Sequence, residues 1–185
     1  MTSAAEPTAG PATATRRREH EWTDPMVLAA AASGLDGLEY LRRIVDGRLP
    51  GAPVASLVGF RAVSAEHGRV AFAFEPGEHQ YNPIGSVHGG VYATLLDSAC
   101  GCAVHSTLPA GTGYTSLDLS VRFLRRITVD TGTVTCTGHV VQAGRRTALA
   151  RAEEETASLS LLDLTLYEKQ IRGALFGSSA AQFDL

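Results

Sequence analysis

The chain has 185 residues, 44% of them hydrophobic, and a formal net charge of −3. This composition suits one folded domain and gives no reason to expect nucleic acid as a partner. There is no run of about 18 apolar residues, so no membrane-spanning helix is predicted.

The N-terminal stretch is rich in Ala, Thr and Pro and leads to Arg16-Arg17-Arg18. A secretory signal would place an apolar run after such a basic cluster, whereas charged residues follow here. We therefore interpret residues 1–24 as a disordered leader and expect a cytoplasmic protein.

An N-terminal helical segment is predicted over 25–52. Asp24 followed by Pro25 is a typical helix start, and a first helix is expected over 26–32. Apolar residues at helical spacing along 37–46 predict a second, amphipathic helix. Its arginines are expected to face solvent.

A domain of strands and one long helix is predicted over 53–170. Strand patterns extend from about residue 55 to residue 74 and are interrupted by a turn at Gly68. A polar loop then leads to residues 89–107, which are apolar on almost every side of a helix except at Asp97. Such a helix must be buried on most of its sides.

Three further strands are predicted after this helix, over 116–123, 133–140 and 146–154. In the first of them apolar and polar residues alternate, which is the pattern of a half-buried strand. Short connections favour antiparallel pairing. The sequence therefore predicts an α+β domain in which an antiparallel sheet wraps around one long central helix, followed by an atypical C-terminal tail over 171–185.

Cys100, Cys102 and Cys136 make an odd count and have no metal-ligand spacing. We expect reduced thiols that pack as small hydrophobic residues, as is usual in a reducing compartment. No metal site is predicted.

Three segments resemble the hotdog-fold thioesterase superfamily, and within it the phenylacetyl-CoA-thioesterase-like (PaaI-like) group. They are residues 82–90 with a His-Gly-Gly turn, residues 95–99 around Asp97, and residues 114–126. The resemblance implies the hotdog fold and an acyl-CoA substrate. It also implies a homodimer, often paired into a dimer of dimers, with active sites between subunits.

The predicted chemistry depends on Asp97. Aspartate is unfavourable within a helix, and burial of its carboxylate without partners costs several kcal/mol, so something must compensate. The carboxylate could act on a thioester as general base or nucleophile, or it could accept structural hydrogen bonds or pair with an arginine. The residues alone leave these interpretations open, and the resemblance favours catalysis.

Gly89 and Gly90 open the long helix, where the first N–H groups have no intrahelical partner. Such groups can stabilise the oxyanion of a tetrahedral intermediate, although most Gly-Gly pairs are plain helix-entry turns. The resemblance implies that Gly89 is the oxyanion donor, with Gly90 beside it.

The resemblance adds three polar candidates. Asn82 would orient a water or the thioester, His88 would hold the loop or touch the thioester sulfur, and Thr115 would lie near the catalytic water. Structural roles as a turn cap, a neutral histidine and a strand-start hydroxyl remain open for these residues.

Two arginine clusters are candidates for binding the phosphates of coenzyme A, because guanidinium forks match phosphate geometry. Their members are Arg122, Arg125, Arg126, Arg145 and Arg146. Solvated strand ends are the ordinary alternative for any one of them. Coenzyme A would be part of the substrate, and no cofactor is predicted.

Together these features predict an acyl-CoA thioesterase that acts on a small aryl- or medium-chain acyl-CoA. Two alternatives stay open: a non-catalytic acyl-CoA-binding hotdog protein, and a hotdog enoyl-CoA hydratase or dehydratase. The latter pairs an acid with a histidine placed for proton transfer. No histidine lies within a helical turn of Asp97, which weighs against dehydration.

Overall fold

The computed structural model describes residues 15–156 and the backbone of residues 167–175. The helices of this part are α1 Pro25–Ala32, α2 Gly37–Val45, α3 Pro53–Val58 and α4 Gly89–His105. The strands are β1 Phe60–Glu66, β2 Arg69–Phe74, β3 Thr112–Ser116, β4 Ser120–Val121, β5 Val134–Ala143, β6 Thr147–Thr156 and β7 Tyr167–Leu175. None of the described helices is long and apolar enough to cross a membrane.

The strands form one antiparallel sheet in the order β1-β2-β5-β6-β7-β3, and β4 pairs with the beginning of β7. The long helix α4 lies across β2, β5 and β6, while α2 and α3 contact β1 near the edge of the sheet. This arrangement confirms the predicted α+β hotdog fold, with an antiparallel sheet packed around one long helix.

The contact between α4 and the sheet is close enough to exclude a side chain. Gly138 of β5 lies beneath Ala99, and a Cβ atom built on this glycine would be 2.2 Å from the Ala99 carbonyl oxygen. On either side of this contact, Leu96, Cys100 and Ala103 of the helix are completely buried. The backbone of α4 is therefore seated directly on the backbone of β5.

The two N-terminal helices begin as the sequence predicts. The carboxylate of Asp24 accepts the Met26 N–H at 2.9 Å, and that of Asp36 accepts the Glu39 N–H at 2.8 Å. Each cap satisfies an N–H group that has no partner within its helix. On α2, Arg43 pairs with Glu39 at 2.8 Å.

Residues 15–24, the last part of the expected leader, run without regular secondary structure past the end of α3. Arg18 donates hydrogen bonds to the carbonyl oxygens of Leu57 at 2.8 Å and Ser56 at 3.3 Å, and the Ser56 hydroxyl donates to the carbonyl of Glu21. The last carbonyls of a helix lack intrahelical partners and carry partial negative charge, so a guanidinium group is favourable there. This N-terminal arm therefore closes the C-terminal end of α3.

A helix replaces the first part of the strand expected from residue 55. Pro53 occupies the first turn of α3, where its missing N–H has no cost, and Gly59 ends the helix with a φ of 93°. The first strand starts only at Phe60.

The strand expected over 116–123 is also different. Strand β3 ends at Ser116, and β4 covers only two residues. As a result Leu117 and Phe123, which were expected on a buried face, are 50% and 58% exposed.

Strand β7 lies between β6 and β3 and pairs antiparallel with both. Leucines alternate with polar residues at 162–166, a pattern typical of a strand, but this segment lies outside the described residues. Residues 171–175, expected to begin an atypical tail, are part of this strand.

Glu154 is a carboxyl group buried on the side of β6 that faces α4. It pairs in register with Cys136 of β5 and is only 7% exposed. Among the described residues, its Oε1 atom has no hydrogen-bond partner. Burial raises the pKa of Glu154 to about 8, so the group is mostly protonated at neutral pH.

We expect this acid to make folding stability fall with rising pH. The folded pKa of about 8 lies above the ordinary value of 4.5, so the folded chain holds a proton that the unfolded chain releases between these values. The stabilisation that this bound proton provides is complete below pH 4.5 and is lost as the pH rises through about 8. Between about pH 6 and about pH 9 the loss should be roughly 2–3 kcal/mol.

Urea unfolding of wild type, Glu154→Gln and Glu155→Gln at both pH values tests this expectation. Glu155 is the exposed neighbour on the same strand and serves as the control. Glu154→Gln should flatten the pH dependence and Glu155→Gln should not. An equal pH dependence in all three proteins would contradict the assignment.

Candidate active site

The N-terminus of α4 lies at an open cavity that Gly89 lines. His88 is the N-cap, and its Nδ1 atom accepts the Gly90 N–H at 2.9 Å. The next amide, of Val91, donates to the His88 carbonyl at 2.9 Å. Among the described residues the N–H of Gly89 has no such partner, so of the two glycines Gly89 keeps its donor available.

A tight turn formed by residues 82–86 lies beside this amide. The Asn82 side-chain oxygen accepts the N–H groups of Ile84 at 3.1 Å and Ser86 at 3.4 Å, and its amide nitrogen lies 3.3 Å from the Ser86 hydroxyl. Gly85 adopts a φ of 80° within the turn. The Asn82 side chain is therefore engaged in holding the loop.

Aromatic rings form a wall of the same region. A Cβ atom on Gly89 would lie 3.1 Å from the Phe123 ring, and that ring packs edge-on against Tyr92 at 5.7 Å between centroids. The Tyr92 hydroxyl accepts the Ile127 N–H at 2.6 Å. A cavity of about 350 Å³ results, and its lining includes Asn82, Gly89, Phe123, Arg125 and Arg126.

Asp97 lies two turns further along α4 and opens onto a different cavity. Its side chain is half-buried, and its Oδ1 atom accepts a hydrogen bond from the Ser116 hydroxyl at 3.2 Å. This second cavity, the α2–α3 chamber, has a volume of about 520 Å³ and lies between α2, α3, β1 and α4. The carboxylate is thus neither sealed in the core nor fully in solvent.

One chain does not bring Asp97 and Gly89 together. The two residues are eight positions apart on one helix, which corresponds to about 12 Å along its axis. They also line separate cavities. A reacting carbonyl within about 3 Å of both groups is therefore not possible inside a single chain.

The remaining predicted residues are dispersed. Thr115 is exposed and, as the neighbour of Ser116 on β3, points to the opposite side of the sheet from Asp97. Arg145 and Arg146 line a third cavity, beyond the C-terminal end of α4, together with His67. Arg122 is exposed outside all three cavities. Only Arg125 and Arg126 share a cavity with Gly89.

Sequence reasoning missed Ser116 and Arg61, the latter an exposed residue that lines the α2–α3 chamber. The signal for Ser116 was available, since it directly follows Thr115 in the matching segment and carries the same kind of hydroxyl group. No sequence signal pointed to Arg61.

Burial changes the titration of two aromatic groups near the end of α4. It lowers the pKa of His105, whose ring contacts both Tyr40 and Tyr114. It also raises the pKa of Tyr114, with Cys102 and Asp97 adding to the effect. Within the described residues no group of three or more His, Cys, Asp or Glu side chains is placed to hold a metal ion.

Comparisons of this chain with known proteins agree with this architecture. Residues 84–157 match the family model of the thioesterase superfamily. A curated protein of Halobacterium salinarum, provisionally named an esterase, is 49% identical over 43 residues. That alignment covers 22% of this chain and 28% of the relative, so it spans less than a third of the relative's length.

Solved structures share the fold at low identity. The Escherichia coli PaaI protein from the phenylacetic acid degradation operon is 20% identical, with 76% of this chain and 96% of that chain covered and a TM-score of 0.63. A thioesterase from Haemophilus influenzae is also 20% identical, with 75% and 90% covered and a TM-score of 0.63. With the family match, these similarities confirm the resemblance to the hotdog-fold thioesterase superfamily.

The N-cap geometry predicts the outcome of changing His88. We expect His88→Ala to lower the free energy of unfolding by about 1 kcal/mol, because the Gly90 N–H loses its acceptor, and His88→Asn to restore most of it. Urea unfolding measures both effects. If His88 instead touches the substrate's sulfur, His88→Asn will be as stable as wild type yet lose thioester hydrolysis.

Proposed function

We propose that this protein is a cytoplasmic acyl-CoA thioesterase that hydrolyses a small aryl- or medium-chain acyl-CoA to the free acid and coenzyme A. The observation that carries the proposal is the Asp97 carboxylate, which is half-buried on an apolar helix and opens onto the α2–α3 chamber. A chamber of about 520 Å³ is in the usual range for small-molecule sites.

Asp97 acts as the general base in this proposal. The hydrogen bond from Ser116 orients the carboxylate, which accepts a proton from water as the water oxygen bonds to the thioester carbon. The tetrahedral intermediate then collapses, the carbon–sulfur bond breaks, and the departing thiolate recovers the proton. In the alternative mechanism the Asp97 carboxylate attacks the thioester directly and forms an anhydride, so both mechanisms need this residue.

The Gly89 N–H stabilises the oxyanion. It is the amide at the start of α4 that His88 does not occupy, and the helix dipole adds partial positive charge at this position. Hydrogen-bond donors held in place before the reaction stabilise the developing charge without reorganisation.

The acid and the amide come from two subunits. Because about 12 Å separates them along one helix, a two-fold axis that sets two α4 helices side by side is the simple way to join them at one carbonyl. The exposed apolar residues that follow β3 fit such an interface, since large apolar patches mark association surfaces. They include Leu117, Leu119, Phe123 and Leu124. A dimer of dimers would form through a second, different surface, because a two-fold contact occupies the same patch on both subunits.

Arg125 and Arg126 are the proposed binders of the coenzyme A phosphates, because they share a cavity with Gly89. Arg145 and Arg146 lie beyond the other end of α4, a helix of 17 residues or about 25 Å. They would serve the substrate of a neighbouring subunit.

The geometry favours hydrolysis over dehydration. Among the described residues, no histidine lines the α2–α3 chamber, since His88 caps α4 and the His105 ring packs between two tyrosines. A dehydratase would need an imidazole beside the acid. A pure binding protein would have no need for a carboxylate at the chamber wall.

We expect Asp97→Asn to lower kcat by about 10²–10⁴-fold, the usual contribution of a positioned acid or base. Thiol release from a panel of acyl-CoA thioesters measures it. Asp130→Asn, an exposed carboxylate on the short turn after residue 128, is the control and should keep full activity. Binding of acyl-CoA without turnover by the wild type would show a binding protein rather than an enzyme.

Subunit mixing tests the shared site. Asp97→Ala and Gly89→Val should each be inactive, the latter because any side chain meets the Phe123 ring. After unfolding and refolding as an equal mixture, half of the dimers contain both variants, and each of these has one intact site. Activity should then return to about a quarter of wild type. No recovery, in a mixture shown by size to contain dimers, would place both groups in one chain.

A further inference from the structure

Apolar side chains from four elements wall the α2–α3 chamber. Ile44 and Val45 contribute from α2, Val54 from α3, Ala62 from β1 and Phe72 from β2. Helices α2 and α3 thus cover a space that α4 and the sheet would otherwise leave open. A cavity with such walls suits a ligand that loses apolar surface to water when it binds.

The charges of the chamber are few and unequally placed. Among the described residues that line it, the charged ones are Asp97, which is half-buried, and Arg61, which is exposed. A negatively charged ligand group inside the chamber would therefore meet a carboxylate at short range and leave its hydration behind. The arginine lies where solvent already reaches it.

A tyrosine that lines the chamber packs against a glycine of α4. Tyr114 of β3 crosses α4 at Gly101, one helical turn beyond Asp97, and a Cβ atom on that glycine would be 2.9 Å from both the ring and the hydroxyl oxygen. The His105 ring, with its centroid 5.4 Å away, supports the tyrosine on another side. The tyrosine can lie so close to the helix only because residue 101 has no side chain.

We infer that the α2–α3 chamber holds the acyl group of the thioester, that this group is an uncharged chain or ring, and that Tyr114 seated on Gly101 sets how long it can be. The inference rests on the proposed function, since Asp97 is the acid at the chamber wall. It assigns the substrate's specificity to α2, α3 and the Gly101–Tyr114 contact rather than to the loops that bear the arginines.

The first test changes the chamber without touching the acid. Val45→Phe fills it from α2, and Gly101→Ala displaces Tyr114 at its end. Leu57→Phe is the matched control, because Leu57 is 53% exposed on α3 and does not line the chamber. Acetyl-CoA, octanoyl-CoA, phenylacetyl-CoA and glutaryl-CoA form the substrate panel.

Wild type should prefer octanoyl-CoA or phenylacetyl-CoA over glutaryl-CoA, whose acyl group ends in a carboxylate. Val45→Phe and Gly101→Ala should lower kcat/KM for the preferred substrate by about tenfold or more relative to acetyl-CoA, as changes of a methylene or more in an apolar pocket do. Leu57→Phe should leave this ratio unchanged. Equal ratios in all variants, or a preference for glutaryl-CoA, would overturn the inference.

The second test does not depend on turnover. Calorimetric titration of octanamide, an uncharged ligand with an eight-carbon chain, into the folded proteins should show binding to wild type and to Leu57→Phe, and a loss of at least about tenfold in affinity for Val45→Phe. If wild type hydrolyses no thioester but this pattern holds, the proposed function fails and the chamber assignment stands. If octanamide binds all three proteins equally, the chamber assignment fails whatever the activity.

Discussion

The backbone contact between α4 and β5 is the constraint on which the rest of the site depends. Because Gly138 leaves no space beneath Ala99, the helix cannot turn about its axis or slide without a collision between backbones. The orientation of every α4 side chain is fixed by this contact. Gly89 therefore opens towards the Asn82 turn, and Asp97 faces α2 and α3. The distance between them is a property of a rigid helix, so the proposed chemistry must be completed by association rather than by motion within one chain.

Much of this fold could be predicted because its signals are local. The long helix is apolar on nearly every side, and strands β2, β5 and β6 follow runs of apolar or alternating residues. The failure over 116–123 is instructive. An alternating pattern of apolar and polar residues predicts which side chains avoid water. It does not show whether those side chains are buried by their own chain or by another one. In one chain Leu117 and Phe123 are largely exposed. Helix α3 has only six residues, fewer than two helical turns, so it is too short to show a repeating amphipathic pattern. Only Pro53 and Gly59 marked its ends.

The site was predictable in part for a different reason. Asp97 is conspicuous as the one charged residue of an apolar helix, and Gly89 follows from its position at the helix start. The hydrogen bond from Ser116 and the walls of the α2–α3 chamber depend on contacts between segments far apart in the chain. No local pattern carries such information. The split of the arginine clusters between the two ends of α4 is likewise a product of topology, since the clusters lie within about 25 residues of each other in the sequence.

The N-terminal arm contacts a wall of the α2–α3 chamber from a distance in sequence. Arg18 donates hydrogen bonds to carbonyl groups near the end of α3, and the hydroxyl of Ser56 on that helix donates to the Glu21 carbonyl of the arm. Since α3 is one wall of the chamber, a protease cut that removes Arg18 would loosen that wall while leaving the sheet intact. Substrate choice could thus be retuned through a stretch of chain that never meets the substrate, and a shortened variant could remain folded yet accept a different range of acyl groups.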